Sequence, residues 1–331
     1  MSTTVSRKNP LQNVPWKTRL LMEFGSFLFR AAMRPNMTLN RRLLTLFDPK
    51  AAASSKPKNG VVSFDAAVDP SRNVWFRLYT TTSAKLPVIF FIHGGAYVFG
   101  AADSFGSDAS CRRLSRQLSA AVVSVNYRLA PEHKFPSQLR DALDCLKYLD
   151  DHHRDDAFSC ADVSRCFVAG ESAGGNLAHH VALGAGELEL KKVRVVGLVS
   201  IQPFFGGEER TESEIRLGRG ALGLDSTDWC WRAVLPDGSD RDHPAVNVSG
   251  PNAVDISGRG YPDTLCFIGG LDSLKDWGRR YCEWLKKSGK KVEVVEYPNA
   301  IHGFMSVQCE PEYGMFIEEV KNFMQKQDMA K

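Results

Sequence analysis

Three residue types able to move a proton and attack a carbonyl stand along the chain in the order Ser172, Asp272, His302. A serine hydroxyl is a weak nucleophile near neutral pH. It needs a base to take its proton and a third group to orient that base. Ser172 lies in Ala169-Gly170-Glu171-Ser172-Ala173-Gly174, directly after the apolar Cys166-Phe167-Val168. Gly-x-Ser-x-Gly on the exit of a buried strand predicts a sharp strand-to-helix turn with the hydroxyl held clear of the sheet, and in such turns the partners follow in the order acid, then histidine. Asp272 comes after the apolar run 264–268 and Gly269-Gly270-Leu271. His302 comes after the run 292–297, which Pro298 breaks. Strand ends on one edge of a parallel sheet open onto one crevice, so these three side chains are expected to meet there.

Attack on a carbonyl also needs donors for the oxyanion. The most apolar strand candidate, Pro87-Val88-Ile89-Phe90-Phe91-Ile92, runs into His93-Gly94-Gly95-Ala96. Glycines let backbone N–H groups approach a substrate closely, which makes the amides of Gly94, Gly95 and Ala173 the expected oxyanion hole. Each piece has a plainer reading. Gly-x-Ser-x-Gly arises by chance, His-Gly-Gly makes ordinary turns, and Asp272 suits a helix cap because 274–287 reads as helical. Glu171 is read as structural, with Arg128 as its partner, and His179 and His180 as packing residues. The conjunction at strand ends, in the required order, favours catalysis.

The elements that must position these groups alternate. Strands are expected near 88–92, 121–125, 166–169, 195–201, 264–268 and 292–297, after an antiparallel pair near 60–64 and 73–79. Helices are expected near 107–118, 137–151, 175–184, 276–287 and 312–326. This is the pattern of a mostly parallel sheet of eight strands with helices on both faces. Residues 1–50 read as a separate N-terminal segment, in which Leu20, Leu21, Phe24, Phe27, Leu28 and Ala31 share one helical face. The linker-like stretch 51–60 follows, so the division is 1–50 and 51–331. An excursion at about 206–260 is too long for a simple connection. It is read as a cap that helps the N-terminal segment roof the site.

Composition sets limits. The chain has 331 residues, 43% of them hydrophobic and 24% charged, with a net charge of +4. That charge is uneven. Residues 1–50 hold nine Lys/Arg against two Asp/Glu. No basic run carries interleaved aromatics, so nucleic acid is not an expected partner. The eight cysteines lack metal or Cys-x-x-Cys spacing, which fits free thiols in a reducing compartment. No stretch is long enough to span a membrane, and no secretory leader is visible. A cytoplasmic protein is expected, with the nucleus also open, and neither metal nor cofactor is required.

Several blocks resemble the plant carboxylesterases of the hormone-sensitive-lipase branch of α/β-hydrolases. They are His93-Gly-Gly, Asn126-Tyr-Arg-Leu-Ala-Pro-Glu-His133, Gly170-Glu-Ser-Ala-Gly-Gly-Asn176, Gly270-Leu-Asp-Ser-Leu-Lys-Asp276 and His302-Gly-Phe304. The resemblance covers about residues 16–326. It is closest to the gibberellin-receptor-like subgroup through Arg34-Pro-Asn-Met-Thr-Leu-Asn-Arg41, the 205–213 block and Trp229-Cys-Trp-Arg-Ala-Val-Leu-Pro236. It implies the α/β-hydrolase fold, with N-terminal helices folding over the pocket as a lid.

The departures bear on function. Receptors of this kind have an aliphatic residue in place of the histidine, which is His302 here. They have a serine where Ala96 stands, a tyrosine where Met305 stands, and an acid–arginine pair where Ser226 and Thr227 align; Tyr127 is retained. The reading that follows is a serine carboxylesterase for medium-sized apolar or aromatic esters, with Phe24, Phe27, Ala96, Tyr127 and Met305 as its substrate-contacting residues. The alternative is a binding protein for a hormone-like small molecule, with little turnover and a protein partner. A third reading is a lyase of the nearby plant subgroup, in which threonine replaces the serine; Ser172 argues against it.

Overall fold

Apolar runs of six or seven residues between glycine- or proline-rich turns become the central strands, because a strand covered on both faces needs no polar alternation. The structure, a computed structural model, describes residues 15–81, 83, 85–308 and 310–329. Residues 1–14 of the expected N-terminal segment, Cys309 and the side chain of Leu21 lie outside that description. The strands are β1 (Val62–Asp69), β2 (Val74–Thr80), β3 (Leu86–Ile92), β4 (Ala121–Asn126), β5 (Ala161–Glu171), β6 (Val195–Ile201), β7 (Asp263–Gly269) and β8 (Val292–Tyr297). They form one eight-stranded sheet in the order β1-β2-β4-β3-β5-β6-β7-β8. β1 and β2 pair antiparallel, β2 pairs antiparallel with β4, and every other pairing is parallel.

The helices are α1 (Trp16–Ala32), α2 (Arg41–Leu46), α3 (Phe105–Gln117), α4 (Ser137–His152), α5 (Ala173–Ala185), α6 (Glu212–Leu217), α7 (Leu224–Val234), α8 (Lys275–Lys287), α9 (Phe304–Val307) and α10 (Glu312–Met329). One face of the sheet packs Phe90, Val123 and Val168 with Leu146, Leu177 and Val181 from α4 and α5. The other packs Ile89, Phe91 and Phe167 with Leu114 from α3 and Phe316, Val320 and Phe323 from α10. Among the described residues no helix is long and apolar enough to cross a membrane.

The excursion at 206–260 is mostly turns around α6 and α7. Its two tryptophans fasten it in two directions. Trp231 stacks on Phe204, just past the end of β6, with ring centroids 4.2 Å apart. The indole N–H of Trp229 donates to the Arg34 carbonyl at 2.9 Å and so ties the excursion to the chain leaving α1.

The orientation of α1 differs from the sequence expectation. Phe24 and Phe27, expected with Leu28 to point inward over the pocket, are 46% and 67% exposed, Leu28 is half-buried, and Phe29 and Ala32 are buried. The apolar periodicity located a face, the resemblance placed it over the pocket, and Leu20, Phe27 and Ala31 of that face border a cavity while Phe24 does not. That face borders open space, and the packed contact is made by the other side of the helix, where Phe29 meets Phe99 at 5.3 Å.

Two glycines give opposite predictions. A methyl on Gly174 would sit 2.0 Å from the Ile92 carbonyl oxygen, whereas nothing lies within 4 Å of one on Gly25 in α1. Gly174→Ala is expected to lose about 3 kcal/mol or more of stability. Gly25→Ala is expected to gain up to about 1 kcal/mol, because alanine loses less entropy in a helix. Urea denaturation of the two variants checks both.

Candidate active site

The turn at Ser172 is built by excluding side chains. Ser172 has φ 58° and ψ −120°, a left-handed conformation unusual for a residue with a Cβ. A methyl on Gly170 would lie 2.1 Å from the Gly174 carbonyl oxygen, so β5 and the first turn of α5 cross with no room for one. The strained turn is held by its backbone. The Ser172 N–H donates to the Ile201 carbonyl at 2.9 Å, and its carbonyl accepts from the Asn176 and Phe204 N–H groups at 3.1 and 2.9 Å.

Ser172, His302 and Asp272 meet at the ends of β5, β8 and β7. Ser172 Oγ lies 2.9 Å from His302 Nε2, and His302 Nδ1 lies 2.8 Å from Asp272 Oδ2. Asp272 is 1% exposed. Its second oxygen accepts from the Leu274 N–H at 2.9 Å. The carboxylate therefore organises the turn into α8 with one oxygen and faces the imidazole with the other. Burial alone would push the His302 pKa down. The facing Asp272 carboxylate, by its charge and its hydrogen bond, reverses this with a contribution from Glu171, and the net direction is upward from 6.5.

The loop after β3 reaches the same place. A methyl on Gly94 would fall 3.3 Å from Ser172 Cβ, so the backbone at 94 abuts the serine side chain. Gly95, Ala96 and Tyr97 all have positive φ (111°, 49° and 65°). Gly95 also leaves no space for a Cβ, which would sit 2.1 Å from the Phe99 carbonyl oxygen. Beneath this loop Tyr127 stacks on His93 at 4.3 Å and donates from its hydroxyl to the His93 carbonyl at 3.0 Å. Burial lowers the pKa of His93 to about 4, so the ring is neutral and supports the loop by packing.

An open cavity of about 1210 Å³ borders His302, with Leu271, Ser273 and Ile301 beside it and α1 across from it. Of the five expected contact residues, Phe27 is on its wall. The other four lie elsewhere. Phe24 turns outward, its ring meeting Phe47 edge-on at 5.5 Å. Ala96 packs against the main core. Tyr127 is buried under the loop. Met305 is buried on the opposite face of the sheet, in the cluster of Tyr297, Phe304 and Phe316. The hydroxyls of Ser226 and Thr227 are committed to the backbone, donating to the Gly220 and Leu224 carbonyls at 3.0 Å each. A second cavity of about 340 Å³, bordered by Trp277, Arg280 and Trp284, touches none of the three central residues. No cluster of three or more metal-ligating side chains occurs among the described residues.

Two supporting residues escaped the sequence reading. Gln202, one residue past β6, donates from its side-chain amide to the Ile301 carbonyl at 3.0 Å and accepts from the Gly303 N–H at 2.8 Å. It thus clamps the chain on both sides of His302. Its signal was a lone amide at the end of an apolar strand. Ser306 donates its hydroxyl to Glu171. Arg128, the expected partner of Glu171, instead pairs with Asp141 at 2.8 Å. Burial raises the Glu171 pKa, and the Ser306 bonds oppose that. His179 and His180 are packing residues: His179 lies 2.6 Å from the Tyr261 hydroxyl, and His180 lies 3.3 Å from the Ala245 carbonyl.

A family profile described as an alpha/beta hydrolase fold matches residues 89–306. The chain belongs to the α/β-hydrolase family. It is 36% identical over 328 residues to a gibberellin receptor of Arabidopsis thaliana, covering 94% of both chains. It is 34% identical over 307 residues to the protein named carboxylesterase 20 of the same plant, covering 88% of this chain and 93% of that one. Among solved structures it superposes on the hyperthermophilic esterase of Pyrobaculum calidifontis with TM-score 0.70 and 28% identity, over 95% of this chain and 93% of that one. Relatives of this α/β-hydrolase therefore carry both esterase and receptor names.

The imidazole makes a direct prediction. In an NMR titration the His302 ring of the intact protein should titrate above 6.5. In Asp272→Asn the attraction is gone and burial remains, so the midpoint should fall below 6.5. A His302→Gln sample assigns the resonance.

Proposed function

We propose that this carboxylesterase-type α/β-hydrolase cleaves carboxylic esters through Ser172, His302 and Asp272. One observation carries the reading: serine oxygen, imidazole and carboxylate form an unbroken chain of 2.9 and 2.8 Å beside a cavity roomy enough for an ester of moderate size. Ser172 Oγ attacks the ester carbonyl while His302 Nε2 takes its proton. Asp272 holds the other imidazole nitrogen in the N–H tautomer and stabilises the cation that forms. The oxyanion accepts from the amides of Gly94, Gly95 and Ala173. The imidazolium then gives its proton to the departing alcohol, and water, activated by the same base, releases the acid. Losing one such amide donor raises the barrier by about 3 kcal/mol in comparable sites.

The apolar part of the wall, with Leu20, Phe27, Leu222 and Ile301, suits a medium-sized apolar or aromatic ester body. α1 and the 206–260 excursion act as its lid and cap in this reading. Support for the lid comes from α1 and the excursion meeting at the cavity wall, where a methyl on Gly220 would lie 2.8 Å from Ser26 Oγ.

The receptor names among the relatives favour a second reading, a protein that holds a hormone-like molecule without turning it over. The two readings part at His302, which hydrolysis needs as a base and simple binding does not.

Short-chain 4-nitrophenyl esters test the reading. The intact protein should release nitrophenol with an initial burst, and Ser172→Ala should release none above background; equal rates would overturn the esterase reading. Asp272→Asn should lower kcat about 10⁴-fold, as expected for loss of the productive tautomer. The neutral imidazole is the base, so kcat/KM should rise with pH through a single ionisation whose midpoint lies above 6.5, the direction set by Asp272. Gln202→Met should lower kcat about 10-fold or more with little change in KM, because it frees the loop that aims His302.

A further inference from the structure

The cavity wall holds more charge than ester cleavage uses. On the stretch of α1 that borders it, Arg19, Glu23, Ser26 and Arg30 recur at intervals of four, three and four residues and so share one helical stripe. Arg219 enters the same wall from the excursion. Ser26 abuts Gly220, so Arg30, one turn beyond Ser26, and Arg219, next to Gly220, flank one seam. Three arginines thus border the cavity, and among the described residues Glu23 is the one acid on its wall.

These cations have not been absorbed by the fold. Among the described residues none of the three makes an ion pair. The Nε of Arg19 is shut away from solvent without a hydrogen-bond partner. So is the hydroxyl of Ser273, a 3%-exposed residue on the same wall, next to Asp272. A buried donor without an acceptor is unfavourable, and since solvent reaches neither atom, an acceptor in the cavity relieves it once the side chain turns toward it. A guanidinium fork matches a carboxylate in geometry and charge. The same wall also carries the apolar Leu20, Phe27, Leu222, Leu271 and Ile301.

We propose that the site prefers esters that carry a carboxylate at the end remote from the scissile bond, with Arg19, Arg30 and Arg219 selecting for it. This rests on the esterase reading of Ser172, Asp272 and His302. Arg19 and Arg30 stand about 16 Å apart along the helix, so an extended acyl chain leaving the serine meets a cation toward either end of the cavity.

Mono(4-nitrophenyl) adipate and 4-nitrophenyl hexanoate share the reacting ester and chain length, and differ in the terminal carboxylate. At low salt kcat/KM for the adipate should exceed that for the hexanoate by about fivefold or more. The ratio should shrink as ionic strength rises. In the triple variant Arg19→Gln, Arg30→Gln, Arg219→Gln it should fall to about one. Binding of both esters to Ser172→Ala, read by quenching of tryptophan fluorescence, should show the same preference without turnover. Hydrolysis of the hexanoate through Ser172 with no preference for the adipate overturns the anionic selection and leaves the esterase reading intact. A preference that survives in the triple variant, or is indifferent to salt, also overturns it. If neither ester is turned over the esterase reading fails, and equal affinities in Ser172→Ala then overturn the selection as well.

Discussion

The site depends on the place where β3, β5 and the start of α5 come within touching distance of one another. Gly174 lies against the Ile92 carbonyl and Gly170 against the Gly174 carbonyl, with no room for a Cβ at either position. This forces the chain to reverse from strand to helix in a single residue, and that residue is Ser172, held at a positive φ. The strain is balanced by backbone bonds from β6 and α5, and by Asn176, whose side chain ties α5 to the carbonyls of Phe204 and Ala245. Loosening that crossing would move the nucleophile before it touched anything else.

Around this rigid point the other groups are arranged in layers of decreasing order. Asp272 is fully buried and satisfied by a turn amide and the imidazole. His302 sits on a loop, which alone would be too mobile for proton transfer, and Gln202 restrains that loop from both sides. Beyond them α1 borders the cavity with large apolar side chains still exposed. A helix that covers space instead of core contributes little apolar burial. Relatives carry both receptor and esterase names, so the fold alone does not fix the activity.

The eight strands and the major helices were legible in the sequence because their signals are local: apolar runs for buried strands, 3.6-residue periodicity for helices, glycine at the crossing turn. The order Ser172, Asp272, His302 was legible for the same reason, since each residue closes a recognisable strand. The pocket wall was not. Met305 follows the histidine loop in sequence, yet the first turn of α9 carries it to the opposite face of the sheet. Tyr127 follows β4 and was expected at the cavity, but its ring slides under the His93 loop. Glu171 and Arg128 look like an ion pair on paper, and Asp141 captures the arginine instead.

What the amino-acid sequence determined by itself was the kind of fold and the identity and order of the residues able to do chemistry, because strand ends, glycine turns and residue types follow from short-range sterics and hydrophobic pattern. Tertiary structure alone decided which side of α1 is packed, that Gln202 braces the histidine, and that three arginines around the cavity have no ion-pair partner among the described residues. Those facts depend on which distant surfaces come into contact, and no spacing along the chain encodes that.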